Sequence, residues 1–366
     1  MTEDRSYLEQ QLITYIGNKR SLLFLIGEGL EIARKRLGRD RLSSFDVFSG
    51  SGVVARYLKR FSHRLIANDL EDYSSVINRC YLTNRSKVDP DELDHWHRYL
   101  VANLEEDSLS EGFIRELYSP RDMHDIQPGE RCFYTPRNAM YLDTARGLID
   151  TIPERLRHFF IAPLLSEASV HANTSGVFKG FYKNSKTGRG QFGGNNRDAL
   201  SRILGDIEIK KPLFSRFESE VEVRTGDAIE AAQRVEEVDI AYLDPPYNQH
   251  PYGSNYFMLN LVLKYERPTS ISRVSGIPAD WKRSAFNRRG EAYQAMERLI
   301  DTIRARYLMI SFNSDGFIGS GEMLDLLNRA GRTSLLQTRY NTFRGSRNLS
   351  KRSIHVKEYL YLVEKH

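Results

Sequence analysis

Residues 238–247 read VDIAYLDPPY, an apolar run that ends on an acid, two prolines and a tyrosine. These types suit one chemistry, attack by an exocyclic amine of a planar base. Such an amine offers two N–H donors, while its lone pair is delocalised into the ring. Two acceptors that hold both N–H groups draw the nitrogen towards tetrahedral geometry and localise that pair. Asp244 supplies a carboxylate, and Pro245 supplies a carbonyl on a rigid backbone with no competing N–H. Pro246 continues the stiff turn, and Tyr247 offers a ring face for stacking. A strand closed by an ordinary Pro-Pro turn would not need the acid and the ring beside it.

A second constellation lies upstream. Gly50-Ser51-Gly52-Val53-Val54-Ala55 fits G-x-G-x-x-G/A between a strand and a helix, and Asp69 follows about twenty residues later. Small residues let the backbone approach a ligand, and an acid ending the second strand can accept both hydroxyls of a ribose. The pattern alone also fits a tight turn, and it does not separate NAD from S-adenosylmethionine, since both carry an adenosine ribose. Asp46 in the first strand and Asp227 after the third put two more acids at carboxyl ends of strands, where open α/β sheets bind ligands. Asp227 suits either an adenine amino group or the N-cap of a helix starting at Ala228.

These residues need a framework that gathers strand ends. Residues 45–74 read as strand, glycine loop, helix and second strand, the opening of a βαβ unit and of a parallel sheet. A loop and helix over 12–37 precede it. The α/β rhythm resumes over 221–247, then runs through a helix near 291–305, a strand over 307–316, another helix and a closing β-hairpin over 337–365. The fold class is therefore α/β, with a discontinuous core over 1–75 and 219–366 and an inserted region over 76–218.

The insertion begins with helical sequence and ends in a long loop, 171–197. There Lys179, Lys183, Lys186, Arg189 and Arg197 are interleaved with Phe178, Phe181, Tyr182 and Phe192, as a surface that tracks phosphates and reads base edges would require. Residues 280–290 and 339–352, the latter with Arg344 and Arg347, are further basic stretches. Residues 248–257 are expected to form a mobile flap in which Tyr256 or Phe257 helps hold the base.

Composition narrows the partners. The 366 residues carry 53 Lys and Arg against 48 Asp and Glu, a formal +5 that suits a polyanion without demanding one. Cys80 and Cys132 are too few for a disulfide framework or a cysteine zinc site and point to a reducing cytoplasm. The histidines show no metal-ligand spacing, so no metal is expected. The polar N-terminus lacks a signal-peptide core, and no apolar run nears the ~20 residues that span a bilayer, so a soluble cytoplasmic chain without a membrane partner is expected. No segment fixes an oligomeric state, and a monomer is favoured.

Taken in order, Tyr15-Ile16-Gly17-Asn18-Lys19, Asp46-Val47-Phe48-Ser49-Gly50-Ser51-Gly52, Asn68-Asp69, Thr225-Gly226-Asp227 and Asp244-Pro245-Pro246-Tyr247 resemble the Dam-type (D12 class, α-group) adenine-N6 DNA methyltransferases. The resemblance implies a Rossmann-like S-adenosylmethionine-dependent methyltransferase core with an inserted DNA-recognition region. It further implies methyl transfer to N6 of an adenine flipped out of double-stranded DNA, in a restriction-modification or related DNA-marking role beside a restriction endonuclease. By that resemblance Tyr15, Lys19, Asp69 and Asp244 contact the cofactor, together with Asp46 of the first strand and Gly50 and Gly52 of the glycine loop. Phe48 lies against it, and Asp227 meets its adenine. This chain departs from the pattern with Ala228 where relatives often carry an aromatic, and with Tyr15 where some carry Trp. The residues themselves leave open an RNA adenine-N6 substrate, N4-cytosine methylation, a non-catalytic nucleic-acid-binding relative and an NAD-dependent dehydrogenase.

Overall fold

Every residue of the strand Val238–Leu243 is buried, and its two side-chain sets enter different cores. Ile240 and Tyr242 join Leu65, Met309 and Leu362, whereas Ala241 and Leu243 join Ile66, Leu308 and Ile310. A two-residue period produces this split when both faces of a sheet are covered. The computed structural model describes residues 2–313, 316–341 and 355–366.

Among the described residues, β1 (Leu42–Asp46), β2 (Ser62–Asp69), β3 (Glu220–Thr225), β4 (Val238–Leu243), β5 (Ala305–Asn313), β6 (Gly331–Asn341) and β7 (His355–Lys365) form one sheet. Its order is β3-β2-β1-β4-β5-β7-β6. The first five strands run parallel, and β7 is antiparallel to both β5 and β6. Helices Leu23–Leu37 and Val53–Lys59 cover one face through Leu30, Ala33, Ala55 and Leu58. Helices Ala228–Arg234, Ala292–Thr302 and Ser320–Ala330 cover the other through Ala232, Met296, Leu299 and Leu327. The expected α/β architecture is thus present.

The strand order turns back between β1 and β4, which opens a crevice at the carboxyl edge. Register there pairs Asp46 with Tyr242 and with Ala67. The ends of β1, β2 and β4 therefore deliver Asp46, Asp69 and Asp244 to one edge.

Between β2 and β3 the chain leaves the sheet and builds a helical body. Helices Pro90–Ala102, Pro136–Thr151 and Glu154–Val170 bury Leu100, Leu142, Phe160 and Leu164 in a core of their own. That core also takes in Tyr7 and Ile13, Tyr73 and Ile77 of helix Asp72–Leu82, and Met258 and Val262 of helix Phe257–Lys264. The helical body is therefore fastened to the segments that flank the crevice. Cys80 and Cys132 are buried and unbridged. No helix among the described residues is long and apolar enough to cross a membrane.

Candidate functional site

The glycine loop sits close because two backbone positions exclude side chains. Gly50 and Gly52 have φ of 52° and 76°. A Cβ on Gly50 would fall 2.8 Å from the Tyr15 ring, and one on Gly52 would fall 2.8 Å from Asn78 Oδ1. The loop is tied to the neighbouring strand end by the Gly50 N–H, which donates to Asp69 Oδ2 at 2.7 Å. The Glu71 N–H donates to Asp69 Oδ1 at 2.9 Å, so the carboxylate is held by backbone on both oxygens. Burial pushes its pKa up to about 6, against the pull of these donors.

Asp46 is fully buried, and neither carboxylate oxygen has a hydrogen-bond partner among the described residues. The adjacent Ser49 hydroxyl donates to Asn78 instead, at 3.0 Å. Burial, with the charges of Asp244 and Asp69 adding to it, pushes the Asp46 pKa up to about 8, although the Ser49 hydroxyl and the Ala55 N–H, which stand near without completing a bond, oppose the rise. A buried acid without a partner is costly, and its site fits a ligand that brings a donor or a positive charge. Asp227 lines the same crevice and caps helix Ala228–Arg234, its Oδ1 accepting from the N–H groups of Ile229 and Glu230 at 2.9 and 3.3 Å. The capping role allowed by the sequence is present, and it leaves the residue at the crevice wall.

Asp244 stands just past β4 and meets Lys19 Nζ at 3.1 Å, with side chains 18% and 5% exposed. The same ammonium lies 5.9 Å from the centroid of the Tyr247 ring. Burial raises the Asp244 pKa, and Lys19 opposes the rise. For Lys19, burial works against the charge, but Asp244 and Tyr247 outweigh it and the ammonium is held more firmly than in a free lysine. Pro245 is buried, Pro246 lines the crevice, and the Tyr247 ring meets Phe312 edge-on at 6.1 Å. The Tyr247 carbonyl accepts from the Phe317 N–H at 3.0 Å, which fixes the end of the motif.

Tyr15 is held in an aromatic stack, 4.9 Å from Tyr252 and 4.8 Å from Tyr256 between ring centroids. This corrects the expectation for Tyr256 and Phe257. The segment contains the short helix Tyr252–Asn255, and Tyr256 is fully buried, with its hydroxyl accepting the Ile16 N–H at 2.7 Å. Phe257 is buried as well. Tyr256 therefore supports the N-terminal motif from beneath and is not placed to meet DNA; a sequence gives no sign of which aromatic in a run turns inwards.

The basic stretch 280–290 forms a wall of the crevice. Lys282, Ser284 and Asn287 line it, beside Glu71 and Gly253. Lys282 Nζ donates to the Leu70 carbonyl at 2.8 Å and to Asp72 Oδ1 at 2.7 Å. A Cβ on Gly253 would fall 2.6 Å from the Lys282 carbonyl, so the two segments touch through backbone. Phe286 packs edge-on to Phe48 at 5.2 Å, which places Phe48 at the crevice margin. Glu71 is 2% exposed, and burial next to Asp69 pushes its pKa up to about 7. The only signal in the sequence was the aromatic within a basic run.

In the loop 171–197, Lys179, Lys183, Lys186, Arg189 and Arg197 are all exposed. Phe178 and Phe192 are buried, Phe181 packs edge-on to Phe133, and Phe181 and Tyr182 are half-buried, so Phe178 and Phe192 belong to the loop's core. Asn173 holds the loop together by donating to the Cys132 carbonyl at 2.8 Å and accepting the Gly193 N–H at 3.0 Å. The Phe178 N–H donates to the Asn255 carbonyl at 2.7 Å and joins the loop to the helix after the DPPY motif. Arg344 and Arg347 lie outside the described residues.

Comparison with known proteins gives the same direction. Residues 15–313 match the family model of the D12 class N6 adenine-specific DNA methyltransferases. The chain is 31% identical to the Type II methyltransferase M.CviAII of Paramecium bursaria Chlorella virus 1, over 96% of this chain and 98% of that protein. It is 29% identical to the Type II methyltransferase M.NlaIII of Neisseria lactamica, over 96% and 99% of the two chains. The Modification methylase StsI of Streptococcus sanguinis is 27% identical over 96% of this chain and 52% of its own length.

Proposed function

Because the chain belongs to the D12 class of N6 adenine-specific DNA methyltransferases, we propose that its crevice binds S-adenosylmethionine and opens beside Asp244 and Tyr247 to an adenine flipped out of duplex DNA. The observation that carries this reading is the meeting of Asp46, Asp69 and the Lys19–Asp244 pair in one crevice. The residues present fit the ligand. Asp69 can accept the ribose hydroxyls while the backbone steadies it, and the unpartnered Asp46 suits the charged amino-acid arm. Phe48 and Asp227 stand where an adenine ring can lie, with Ser284 and Asn287 as further contacts. When bound, the ligand supplies an electrophilic methyl group on a sulfonium centre.

The chain's own residues then align the attacking nitrogen. Asp244 and the Pro245 carbonyl accept the two N–H groups of the amine, and Tyr247 stacks on the base. Lys19 holds the place of that amine beforehand, since its ammonium donates to the same carboxylate and lies near the same ring. Entry of the base makes Lys19 share or yield Asp244, and until then it keeps the carboxylate ionised. No strong general base is needed, because the methylated nitrogen is acidic and loses its proton readily to Asp244 or water. A base inside a duplex cannot reach such a recess, hence the flip.

We also propose that the region 76–218, through Lys179, Lys183, Lys186, Arg189 and Arg197, recognises DNA. The relatives' designations as Type II methyltransferases and a modification methylase support a restriction-modification role with a cognate endonuclease, inside the cell. The test supplies labelled S-adenosylmethionine and unmethylated DNA or RNA, then identifies the labelled nucleoside. N6-methyladenine in DNA, lost in Asp244→Ala, is the expected product. Label confined to RNA, or undiminished in the variant, would overturn the reading.

A further inference from the structure

The turn spanned by the bridge between Ile271 and Pro278 lines no part of the crevice and gives only Ile277 to the helical core, yet it is built rigidly. Within it the Ser272 N–H donates to the Ile277 carbonyl at 2.8 Å and the Gly276 N–H to the Ser272 carbonyl at 3.0 Å. Gly276 has φ of 69°, and a Cβ there would fall 2.7 Å from the Tyr118 ring. Tyr118, fully buried, donates its hydroxyl to the Gly276 carbonyl at 2.7 Å. Arg131 donates to the carbonyls of Ser272 and Arg273, each at 3.2 Å. Ser275 Oγ donates to the Lys179 carbonyl at 2.6 Å, so the base of the turn is bolted to the helical body and to the basic loop.

The tip is different. Val274 is 56% exposed and joins none of the apolar clusters among the described residues. Arg273 is exposed and has no carboxylate partner among them. A rigid mount that presents two idle side chains is a device for contact with something outside the chain. The surrounding charge says what. From 267 to 290 Asp280 is the sole acid; Arg267, Lys282 and Arg288 pair with Glu116, Asp72 and Glu291, which leaves Arg273, Arg283 and Arg289 without a carboxylate partner among the described residues. On one side the turn adjoins exposed Lys179, and on the other the chain runs directly into Lys282 and Ser284 of the crevice wall. The turn thus bridges the crevice wall and the basic loop, the two places that a duplex with a flipped base would meet.

We infer that the turn 271–278 is a second DNA-contacting finger, with Arg273 on a backbone phosphate and Val274 packed into the groove next to the target base. The inference rests on the reading of the crevice as a site of DNA adenine methylation. Its test uses the full chain and a DNA fragment that the wild type methylates. Arg273→Ala is expected to lower the slope of log affinity against log salt by about 0.9, the share of one phosphate. Val274→Asp is expected to weaken binding to the fragment at least about fivefold. Both side chains project from the surface, so thermal midpoint and S-adenosylmethionine affinity should stay at wild-type values. A wild-type salt slope for Arg273→Ala together with wild-type affinity for Val274→Asp overturns the finger. Wild-type reactions that leave no label in DNA overturn the underlying reading instead, and do so before any variant is made.

Discussion

The crevice and the basic loop carry their charges in opposite ways. In the crevice, Lys19 is 4% exposed and Asp46 wholly buried, and the titratable groups act on one another. In the loop 171–197, the lysines and arginines stand in solvent while an uncharged frame of Asn173, Phe178 and Phe192 is buried beneath them. Charges taken out of water interact strongly and alter one another's protonation, whereas exposed charges are weakened by water and salt. The crevice should therefore respond to single substitutions with large, specific losses in chemistry. The loop should respond with small, additive and salt-dependent losses in binding.

Asp244→Ala tests this contrast hardest. Transfer to DNA should fall by about a thousandfold or more, with duplex affinity nearly unchanged, as read from single-turnover rates and binding titrations on the same fragment. An equal fall in both would dissolve the separation between chemistry and binding.

Lys19→Met comes next. It should lower the rate by about a hundredfold and displace the acidic limb of the pH–rate profile to higher pH. Burial raises the Asp244 pKa and Lys19 holds it down, so loss of the cation lets it rise further. Lys19→Arg should leave the limb near its original position. A profile that stays put in Lys19→Met would show that the ionised state of Asp244 is immaterial.

Asp46→Asn should weaken S-adenosylmethionine binding by about tenfold yet stabilise the unliganded protein. The folded-state pKa of about 8 lies above the ordinary 3.8, so the folded chain holds a proton that the unfolded chain releases. The wild type therefore loses stability as pH rises from about 4 to about 8, and the full penalty stands above that. A rise in melting midpoint on the order of 2–4 °C is expected for the variant at pH 8.5, narrowing at pH 6. Equal midpoints at both pH values would remove the idea that Asp46 awaits a ligand.

The smallest effect belongs to the loop. Lys183→Ala combined with Arg189→Ala should weaken duplex binding by about threefold to tenfold at moderate salt and reduce the salt slope by about two, with the rate of the bound complex preserved. A large loss of rate with an unchanged slope would move these residues out of the phosphate surface and blur the contrast with the crevice.

What could be read in the chain was what local geometry dictates. Val238–Leu243 declares itself a covered strand because every residue is apolar apart from Asp239, and the acid, prolines and tyrosine that follow are contiguous. Gly50 and Gly52 mark a loop because their positive φ values exclude most side chains. The wall made by Lys282, Ser284 and Asn287 could not be read, since it depends on an ammonium reaching the carbonyl of Leu70 across the fold. Tyr256 was misplaced for a related reason. Its ring could as well face solvent until the stack with Tyr15 is formed, and only that contact buries it.

By itself, then, the sequence determined the order of strands and helices, the glycine loop, the acids at the strand ends and the amine-gripping motif. Each is a property of neighbouring residues and of the repeat of the backbone. Tertiary structure alone decided that Lys19 would face Asp244, that Asp46 would have no bonded partner among the described residues, and that Phe178 and Phe192 of the basic loop would turn inwards. Those outcomes depend on distance and burial, which no pattern of residues along the chain contains. They are also what turns ordinary acids and bases into groups whose charge depends on one another.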